Sequence, residues 1–266
     1  MRPVLTRFVL TRFVVVPLAL AGAAISRPAS AQYSVPDAQI SDPMAQFDAG
    51  LAFEYGRGVA PDDEKAVAWF EKSAAQGYAP AETALGVAYA EGRGVEADDA
   101  KAAAWFAKAA AQDDAKGEFN LGVAYAHGRG VEADDAKAAA WFAKAAAHGD
   151  PQAEFNLGLA YARGRGETQD YGQALAWFRK AADQGDLDAA AALGIAYARG
   201  HGVAEDDAAA YQWYAIAQSG AEEGSDAYLR ATRALQILAE RLTPEQTREA
   251  EAKAAAWRAQ HKAASP

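Results

Sequence analysis

Apolar residues recur at helical spacing in two segments of a pattern that repeats every 36 residues along the chain. In the first segment, named helix A, Ala153, Leu157, Ala160 and Tyr161 follow the i, i+4, i+7, i+8 spacing of an amphipathic helix. A glycine in the middle of this segment costs roughly 1 kcal/mol relative to alanine, yet it recurs in every copy. Its recurrence predicts a neighbouring helix that approaches too closely for a side chain to intervene. The five glycines are Gly50, Gly86, Gly122, Gly158 and Gly194.

The second segment, named helix B, begins at an aspartate and carries its own apolar stripe, which in the first copy comprises Ala66, Trp69, Phe70 and Ser73. An aspartate at this point accepts hydrogen bonds from the N–H groups of the first turn. A second acid follows several of these aspartates and could suggest acid–base chemistry, but adjacent helical residues point in different directions, so capping is favoured. We expect the tryptophans to be buried, and truncation of one to cost roughly 3–5 kcal/mol. The aspartates are Asp62, Asp98, Asp134, Asp170 and Asp206, and the tryptophans are Trp69, Trp105, Trp141, Trp177 and Trp213.

Two glycines with one residue between them separate helix A from helix B in every copy. Glycine tolerates positive φ, so the first glycine is expected to close helix A and the second to turn the chain back. A phosphate-binding loop is the alternative, but the third glycine of a dinucleotide fingerprint is missing and no strand precedes the turn. A further glycine is expected to end helix B, with Asp113 in its place in the second copy. The turns are Gly56-Arg57-Gly58, Gly92-Arg93-Gly94, Gly128-Arg129-Gly130, Gly164-Arg165-Gly166 and Gly200-His201-Gly202, and the final glycines are Gly77, Gly149, Gly185 and Gly220.

Two helices joined by a glycine turn and repeated at a fixed step predict an all-α solenoid. In such a fold each hairpin buries its apolar face only against the next hairpin. The five copies occupy residues 43–226. Residues 32–42 have no period and are expected to form a flexible lead-in.

Residues 227–266 depart from the pattern. Leu229 continues the 36-residue step, but Arg230 and Arg233 replace the expected glycine and tyrosine, so we predict a degenerate sixth copy. Thr243 then begins a last helix, with proline at the first helical position. The segment has seven basic and four acidic residues. We expect it to be the polar cap that a solenoid needs, and a basic docking helix for an acidic partner or a membrane surface is the alternative.

The first 31 residues have the three parts of a secretory signal peptide. Three arginines precede an apolar run over residues 13–25, and Ala29-Ser30-Ala31 supplies a small-residue cleavage site. A membrane anchor is the alternative, but this run is shorter than the roughly 20 residues that a spanning helix needs. We therefore predict cleavage before Gln32 and a mature protein that is periplasmic or secreted, without an integral membrane segment.

Composition excludes several kinds of chemistry. The chain has no cysteine, so disulfides and thiolate sites cannot form. Without residues 1–31 it has 22 basic and 36 acidic residues, and an acidic chain repels phosphate backbones, so nucleic acid is not an expected partner. The four histidines have no metal-ligand spacing, and no Gly-x-Ser-x-Gly motif occurs. We predict no metal, no cofactor and no catalytic residue.

The repeat itself resembles a known family. Residues 121–149 contain the string L-G-x-x-Y-x-x-G-R-G-V-x-x-D-x-x-K-A-x-x-W-F-x-K-A-A-x-x-G, which is similar to the Sel-1-like repeat (SLR), a relative of the tetratricopeptide repeat. The resemblance extends over about residues 43–226. It implies a right-handed superhelix of helix pairs whose concave face holds partner proteins or peptides. Many bacterial members are exported, and some are periplasmic regulators of sensor kinases.

Any selective site must lie on helix A, because copies two and three are identical over residues 92–111 and 128–147, which hold the turn and helix B. The resemblance places helix A on the concave side. Counted from Ala153 and its equivalents, the fourth and eleventh positions of helix A share an exposed face because they are seven residues apart. We expect Asn120 and Asn156 to clamp the backbone of an extended peptide and the arginines at the eleventh position to meet carboxylates. A merely solvated face is the alternative. The candidate residues are Asp48, Tyr55, Glu91, Asn120, His127, Asn156, Arg163 and Arg199.

These observations favour an exported, non-catalytic scaffold or regulator that binds a protein or peptide in envelope signalling or assembly. We expect it to be a monomer. A sensor-kinase or other membrane-protein ectodomain is one such partner. Two other classes remain open. One is a cell-wall hydrolase or its accessory, which would act on peptidoglycan fragments, and the other is a secreted factor that contacts host proteins.

Overall fold

The computed structural model describes residues 40–262, and within them it contains twelve helices and no strand. The all-α prediction is therefore confirmed. The predicted signal peptide and most of the lead-in lie outside the described residues. Helices α1 to α10 alternate between helix A and helix B of the five copies, and two further helices follow them. Their bounds are α1 Pro43–Tyr55, α2 Asp63–Ala74, α3 Ala79–Glu91, α4 Asp99–Ala110, α5 Ala115–His127, α6 Asp135–Ala147, α7 Pro151–Arg163, α8 Tyr171–Asp183, α9 Leu187–Arg199, α10 Asp207–Gly220, α11 Asp226–Ala239 and α12 Pro244–Lys262.

The chain divides into two compact units after Gln112. Unit 1 contains α1 to α4, and unit 2 contains α5 to α12. Within each unit, helix A packs against helix B of its own copy, and helix B packs against helix A of the next copy. This is the stacking of hairpins that the 36-residue step predicts. The right-handed superhelix implied by the resemblance stays a prediction.

The caps of the helices follow from local sequence. Each predicted aspartate caps its helix B: the carboxylate of Asp62, for example, accepts a hydrogen bond from the backbone N–H of Lys65 at 3.0 Å. The first glycine of each turn has a φ between 64° and 68°, as predicted for the residue that closes helix A. Asp113, which replaces the last glycine in copy two, has a φ of 59°. Four helix A caps were not identified in the sequence, and they are Asp42, Asp114, Asp150 and Asp186.

The glycine in the middle of helix A is explained by close packing, as predicted. A Cβ added to Gly158 would lie 2.6 Å from the ring of Phe178, and one added to Gly122 would lie 2.8 Å from the ring of Phe142. Both distances are shorter than any that a real Cβ tolerates. In copies one to four the phenylalanine of helix B thus lies directly on the backbone of its own helix A.

The prediction that the repeated tryptophans are buried is wrong for copies one to four, where they are half-buried. A lysine three residues further along helix B covers each ring, with Nζ between 3.7 and 4.1 Å from the ring centroid. The fully buried aromatic residue is the phenylalanine that follows. In copy five Ile216 replaces the lysine, and there Trp213 is only 8% exposed.

Helices α11 and α12 both pack against α10. The indole of Trp257 contacts Trp213 with the ring centroids 6.3 Å apart, and Ala254 is fully buried beside it. The hydroxyl of Tyr211 donates a hydrogen bond to the carboxylate of Glu251 at 3.1 Å. The apolar side of α12 is therefore occupied within the fold and covers the last repeat.

Candidate functional site

Three of the candidate residues lie in unit 1, and two of them already have partners. Asp48 is exposed at the sixth residue of α1, which is the fourth helix A position, and partial burial raises the pKa of its carboxyl, partly offset by Arg57. The ring of Tyr55 is covered by the guanidinium of the same Arg57, 5.1 Å from the centroid. Glu91 forms an ion pair with Arg93 at 2.6 Å. The structure thus uses Tyr55 and Glu91 in local contacts of unit 1.

The two asparagines lie at the same position of α5 and α7 in unit 2. Asn120 and Asn156 are both half-buried. The amide nitrogen of Asn156 donates one hydrogen bond to the backbone oxygen of Gln152 at 2.8 Å. This bond uses one of the two amide hydrogens, and among the described residues the side-chain oxygen of Asn156 has no partner. An amide held in this way still offers one donor and one acceptor to a peptide group.

Three basic residues lie at the eleventh position of three successive A helices, α5, α7 and α9. They are His127, Arg163 and Arg199, and all three are exposed. The ring nitrogen Nδ1 of His127 is 3.0 Å from the backbone oxygen of Val123. Within residues 40–262, neither arginine has an acidic partner. Exposed arginines in an otherwise acidic chain are suited to carboxylates.

An apolar row, which was not predicted from the sequence, lies between the asparagines and the basic residues. Val123, Leu159 and Ile195 each follow the fourth helix A position by three residues and precede the eleventh by four, so all three positions share one helical face. All three are half-buried. The sequence already contained this information, because the residue three places after the fourth helix A position is apolar in every copy. We name the face formed by α5, α7 and α9 the helix A face, and it comprises Asn120, Val123, His127, Asn156, Leu159, Arg163, Ile195 and Arg199.

A second set of polar residues, also not identified in the sequence, is buried rather than exposed. Near the start of helix A, Glu82, Glu118 and Glu154 are 5%, 1% and 5% exposed. Glu82 and Glu154 each accept a hydrogen bond at 2.8 Å from a glutamine 30 residues further along, at the end of helix B. In copy three His148 takes the place of the glutamine, with Nε2 3.6 Å from Glu118. Burial raises the pKa of Glu118 and of Glu154. These residues join the two helices of one hairpin.

The described residues contain no group of three or more histidines or acids that could hold a metal ion. No helix between residues 40 and 262 is both long enough and apolar enough to cross a membrane. The helix A face combines amides, apolar side chains and guanidinium groups, which is the chemistry of peptide recognition.

Comparison with known proteins supports this architecture. The Sel1 repeat profile matches residues 43–78, 79–114, 115–150, 151–186 and 187–217. Among solved structures, a protective antigen present in uropathogenic Escherichia coli strains, which displays an SLR fold, is 35% identical with a TM-score of 0.75. That match covers 82% of this chain and 45% of the antigen, so the chain spans less than half of the antigen's length. A Sel1 repeat protein from Oxalobacter formigenes is 32% identical with a TM-score of 0.69, over 81% of this chain and 87% of that one. No curated protein matches the chain.

Proposed function

This chain belongs to the Sel1 repeat family, and on that basis we propose that it is an exported, non-catalytic scaffold that binds an extended peptide or protein segment on its helix A face. Members of the family are generally non-catalytic scaffolds, and a Sel1-repeat solenoid suits a protein-interaction role. The observation that carries the proposal is the repetition of three kinds of side chain on the helix A face. Apolar side chains and basic groups each form a row along α5, α7 and α9, and amides lie at the same position of α5 and α7.

Each row has its own task in binding. The amides of Asn120 and Asn156 would pair with the backbone N–H and C=O groups of an extended segment. Val123, Leu159 and Ile195 would bury its apolar side chains, which supplies most of the free energy of association at about 25 cal/mol per Å² of buried apolar surface. The basic row would contact its carboxylates and steer the encounter.

Capture of a partner tests this function. The mature chain, residues 32–266, is immobilised and exposed to envelope extract, and the affinity of each captured protein is then measured. We expect a membrane-protein ectodomain, such as that of a sensor kinase, to bind. The triple variant Asn120→Ala, Asn156→Ala, Arg163→Ala should weaken its binding about tenfold or more, because residues at the centre of an interface contribute most of the affinity.

The matched control replaces three exposed residues of the C-terminal helices with alanine, namely Gln236, Arg248 and Gln260. This control should bind as the parent chain does. If the helix A variant and the control bind equally well, the helix A face is not the binding site.

Export is a separate part of the proposal, supported by the arginines, apolar run and cleavage site of residues 1–31. Fractionation of the producing cells tests it, and we expect the protein in the periplasm with its N-terminus at Gln32. Retention of the full-length chain in the cytoplasm would contradict export.

A second candidate function is that of a secreted factor that contacts a host. The 35% identical relative from uropathogenic Escherichia coli is a protective antigen, which favours exposure of that relative to a host. Localisation separates the two functions. Protein that accumulates in the culture medium supports the second candidate, and protein that stays in the periplasm supports the first.

A further inference from the structure

Unit 1 contains a complete binding arrangement for an arginine of the glycine turn. The guanidinium of Arg93 forms ion pairs with Glu54 and Glu91, both at 2.6 Å. Glu54 reaches it from helix A of the previous copy, and its side chain is only 11% exposed. Glu91 comes from the end of the helix A that the turn follows. Two carboxylates, one from each copy, thus surround one guanidinium.

The same positions in unit 2 lack both carboxylates. Seventy-two residues further along, which is two repeats, Arg165 corresponds to Arg93, but Ala126 replaces Glu54 and Arg163 replaces Glu91. Of the two acids that neutralise the turn arginine in unit 1, one is therefore replaced in unit 2 by a methyl group and the other by a second positive charge.

The backbone that supports the turn is the same in both units. The second glycine of the turn, Gly94 in unit 1, lies directly on the backbone of Asp63 at the start of α2, where an added Cβ would clash. Gly166 lies in the same way on the backbone of Asp135 at the start of α6. Since each turn rests on the preceding hairpin through the same contact, the backbone of Arg165 lies in unit 2 where that of Arg93 lies in unit 1.

In the described part of unit 2 the two arginines therefore form no ion pair at this place. Among the described residues, Arg163 and Arg165 have no acidic partner. Partial burial, together with the nearby positive charge of Arg165, lowers the pKa of Arg163, whose side chain is otherwise exposed. A carboxylate placed between two guanidinium groups that repel each other is stabilised by both charges, so it binds more tightly than it would to either group alone.

We propose that Arg163 and Arg165 bind a carboxylate side chain of the partner, which takes the place that Glu54 holds beside Arg93. The partner segment is therefore acidic at this point, with an aspartate or glutamate next to the apolar residues that contact Leu159 and its neighbours. This inference rests on the proposed function and names the chemistry of the partner. Ala126 supplies no carboxylate at this place, so the acid comes from the partner, whereas Glu54 supplies it in unit 1.

A short acidic probe tests the carboxylate site without knowledge of the partner. Acetyl-tetraglutamate-amide is titrated into the isotope-labelled mature chain, and the Nε–Hε resonances of the arginines are followed by NMR, with acetyl-tetraglutamine-amide at matched ionic strength as the control peptide. The resonances of Arg163 and Arg165 should shift saturably with the glutamate peptide only. Arg93 should not shift, because its two carboxylates are already in place. Shifts at Arg163 and Arg165 no larger than that of Arg93 would overturn the proposal.

A double variant rebuilds the unit 1 arrangement in unit 2. Ala126→Glu with Arg163→Glu should supply both carboxylates to Arg165 and weaken binding of the glutamate peptide at least about tenfold. The control, Arg248→Glu with Ala252→Glu on the exposed side of α12, changes the net charge by the same amount and should bind as the parent does. Circular dichroism verifies that both variants fold. Equal weakening in both variants would mean that only net charge matters, and the site would be rejected.

The two proposals fail in different ways. If no protein is captured, or if capture is independent of Asn120 and Asn156, the proposed function fails whatever the glutamate peptide does. If a captured partner depends on the asparagines but binds the Ala126→Glu, Arg163→Glu variant with undiminished affinity, the proposed function stands and the carboxylate site is overturned.

Discussion

At the scale of single residues, burial changes how a capping aspartate affects the pH dependence of stability. Asp186 caps α9 and accepts a hydrogen bond from the backbone N–H of Ala189 at 2.7 Å. Burial raises its pKa to about 6. By contrast, Asp98 caps α4 from an exposed position, and its pKa is lowered, first by the backbone hydrogen bond from Lys101. The same residue in the same role therefore has opposite effects on the pH dependence of stability.

The pH dependence of unfolding tests this contrast. Because the folded state holds the proton of Asp186 more tightly than the unfolded state, stability falls as the pH rises from about 4 to about 6. Asp186→Asn removes this loss and still caps the helix, so we expect a gain of about 1–3 kcal/mol at pH 7 in urea unfolding. Asp98→Asn should change the free energy of unfolding in the opposite direction and lower stability at pH 7. A loss of stability in both variants would show that ionised Asp186 is needed as a cap.

His148 is a second residue whose replacement should change stability. It lies 3.6 Å from the buried Glu118, whereas the glutamines of copies two and four donate to their glutamates at 2.8 Å. His148→Gln should therefore stabilise the protein by about 1–2 kcal/mol, because a glutamine at this place donates a hydrogen bond to the buried carboxylate. Thermal unfolding measures the effect, and an unchanged or lower stability of the variant would contradict the explanation.

At the scale of helices, a glycine and a phenylalanine fix the distance between the two members of a hairpin. Gly158 in α7 lies against the ring of Phe178 in α8, and the equivalent pairs hold the other hairpins. The missing side chain lowers helix propensity, and the close packing offsets that loss. A side chain at this position would push the phenylalanine ring out of its site.

Gly158→Ala should therefore destabilise the chain by about 1–3 kcal/mol, although alanine favours helices, because the new methyl group overlaps the ring of Phe178. The matched control is Gly172→Ala at the exposed start of α8, where the nearest atom to an added Cβ is a side-chain oxygen of Asp170 at 3.2 Å. This control should be neutral or stabilising by up to about 1 kcal/mol. Urea unfolding measures both, and a stabilising Gly158→Ala would refute the packing argument.

At the scale of the whole molecule, the last repeat depends on the C-terminal helices. Trp213 is buried in copy five because α12 covers it through Trp257, whereas a lysine partly covers the tryptophan of each earlier copy. A stack of repeats needs a polar cover at its end, since an open end exposes apolar surface. The basic side chains of α12, such as Arg248 and Lys253, supply that polar surface.

A chain that ends after Leu242 should therefore expose Trp213 and associate. We expect a red shift of tryptophan fluorescence and a molar mass that rises with protein concentration in light scattering. The control chain ends after His261 and keeps α12 as far as its last contact with α8, so it should stay at one molar mass. An unchanged fluorescence spectrum in the shorter chain would show that α12 is not the cover of Trp213.

The candidate site was predicted only in part. The fourth and eleventh positions of helix A follow from a spacing of seven, so the sequence placed Asn156 and Arg163 on one face of one helix. It did not reveal that Glu91 is paired with Arg93 or that Asn156 donates to Gln152, because such contacts depend on side-chain geometry. Whether the face binds a partner stays a prediction.

The sequence by itself determined the elements of this fold. Helix starts at Asp62 and its equivalents, helix ends at the turn glycines, and the hairpin step of 36 residues all depend on interactions within a few residues, which a local pattern records. Only the tertiary structure decided what lies against each hairpin. The half-burial of Trp141 depends on how closely its neighbours pack. The ion pair of Arg93 with Glu54 and the cover of Trp213 by Trp257 join residues that are far apart in the chain. No periodicity specifies such contacts, because the same repeated residue is exposed or buried according to the neighbour that packs on it.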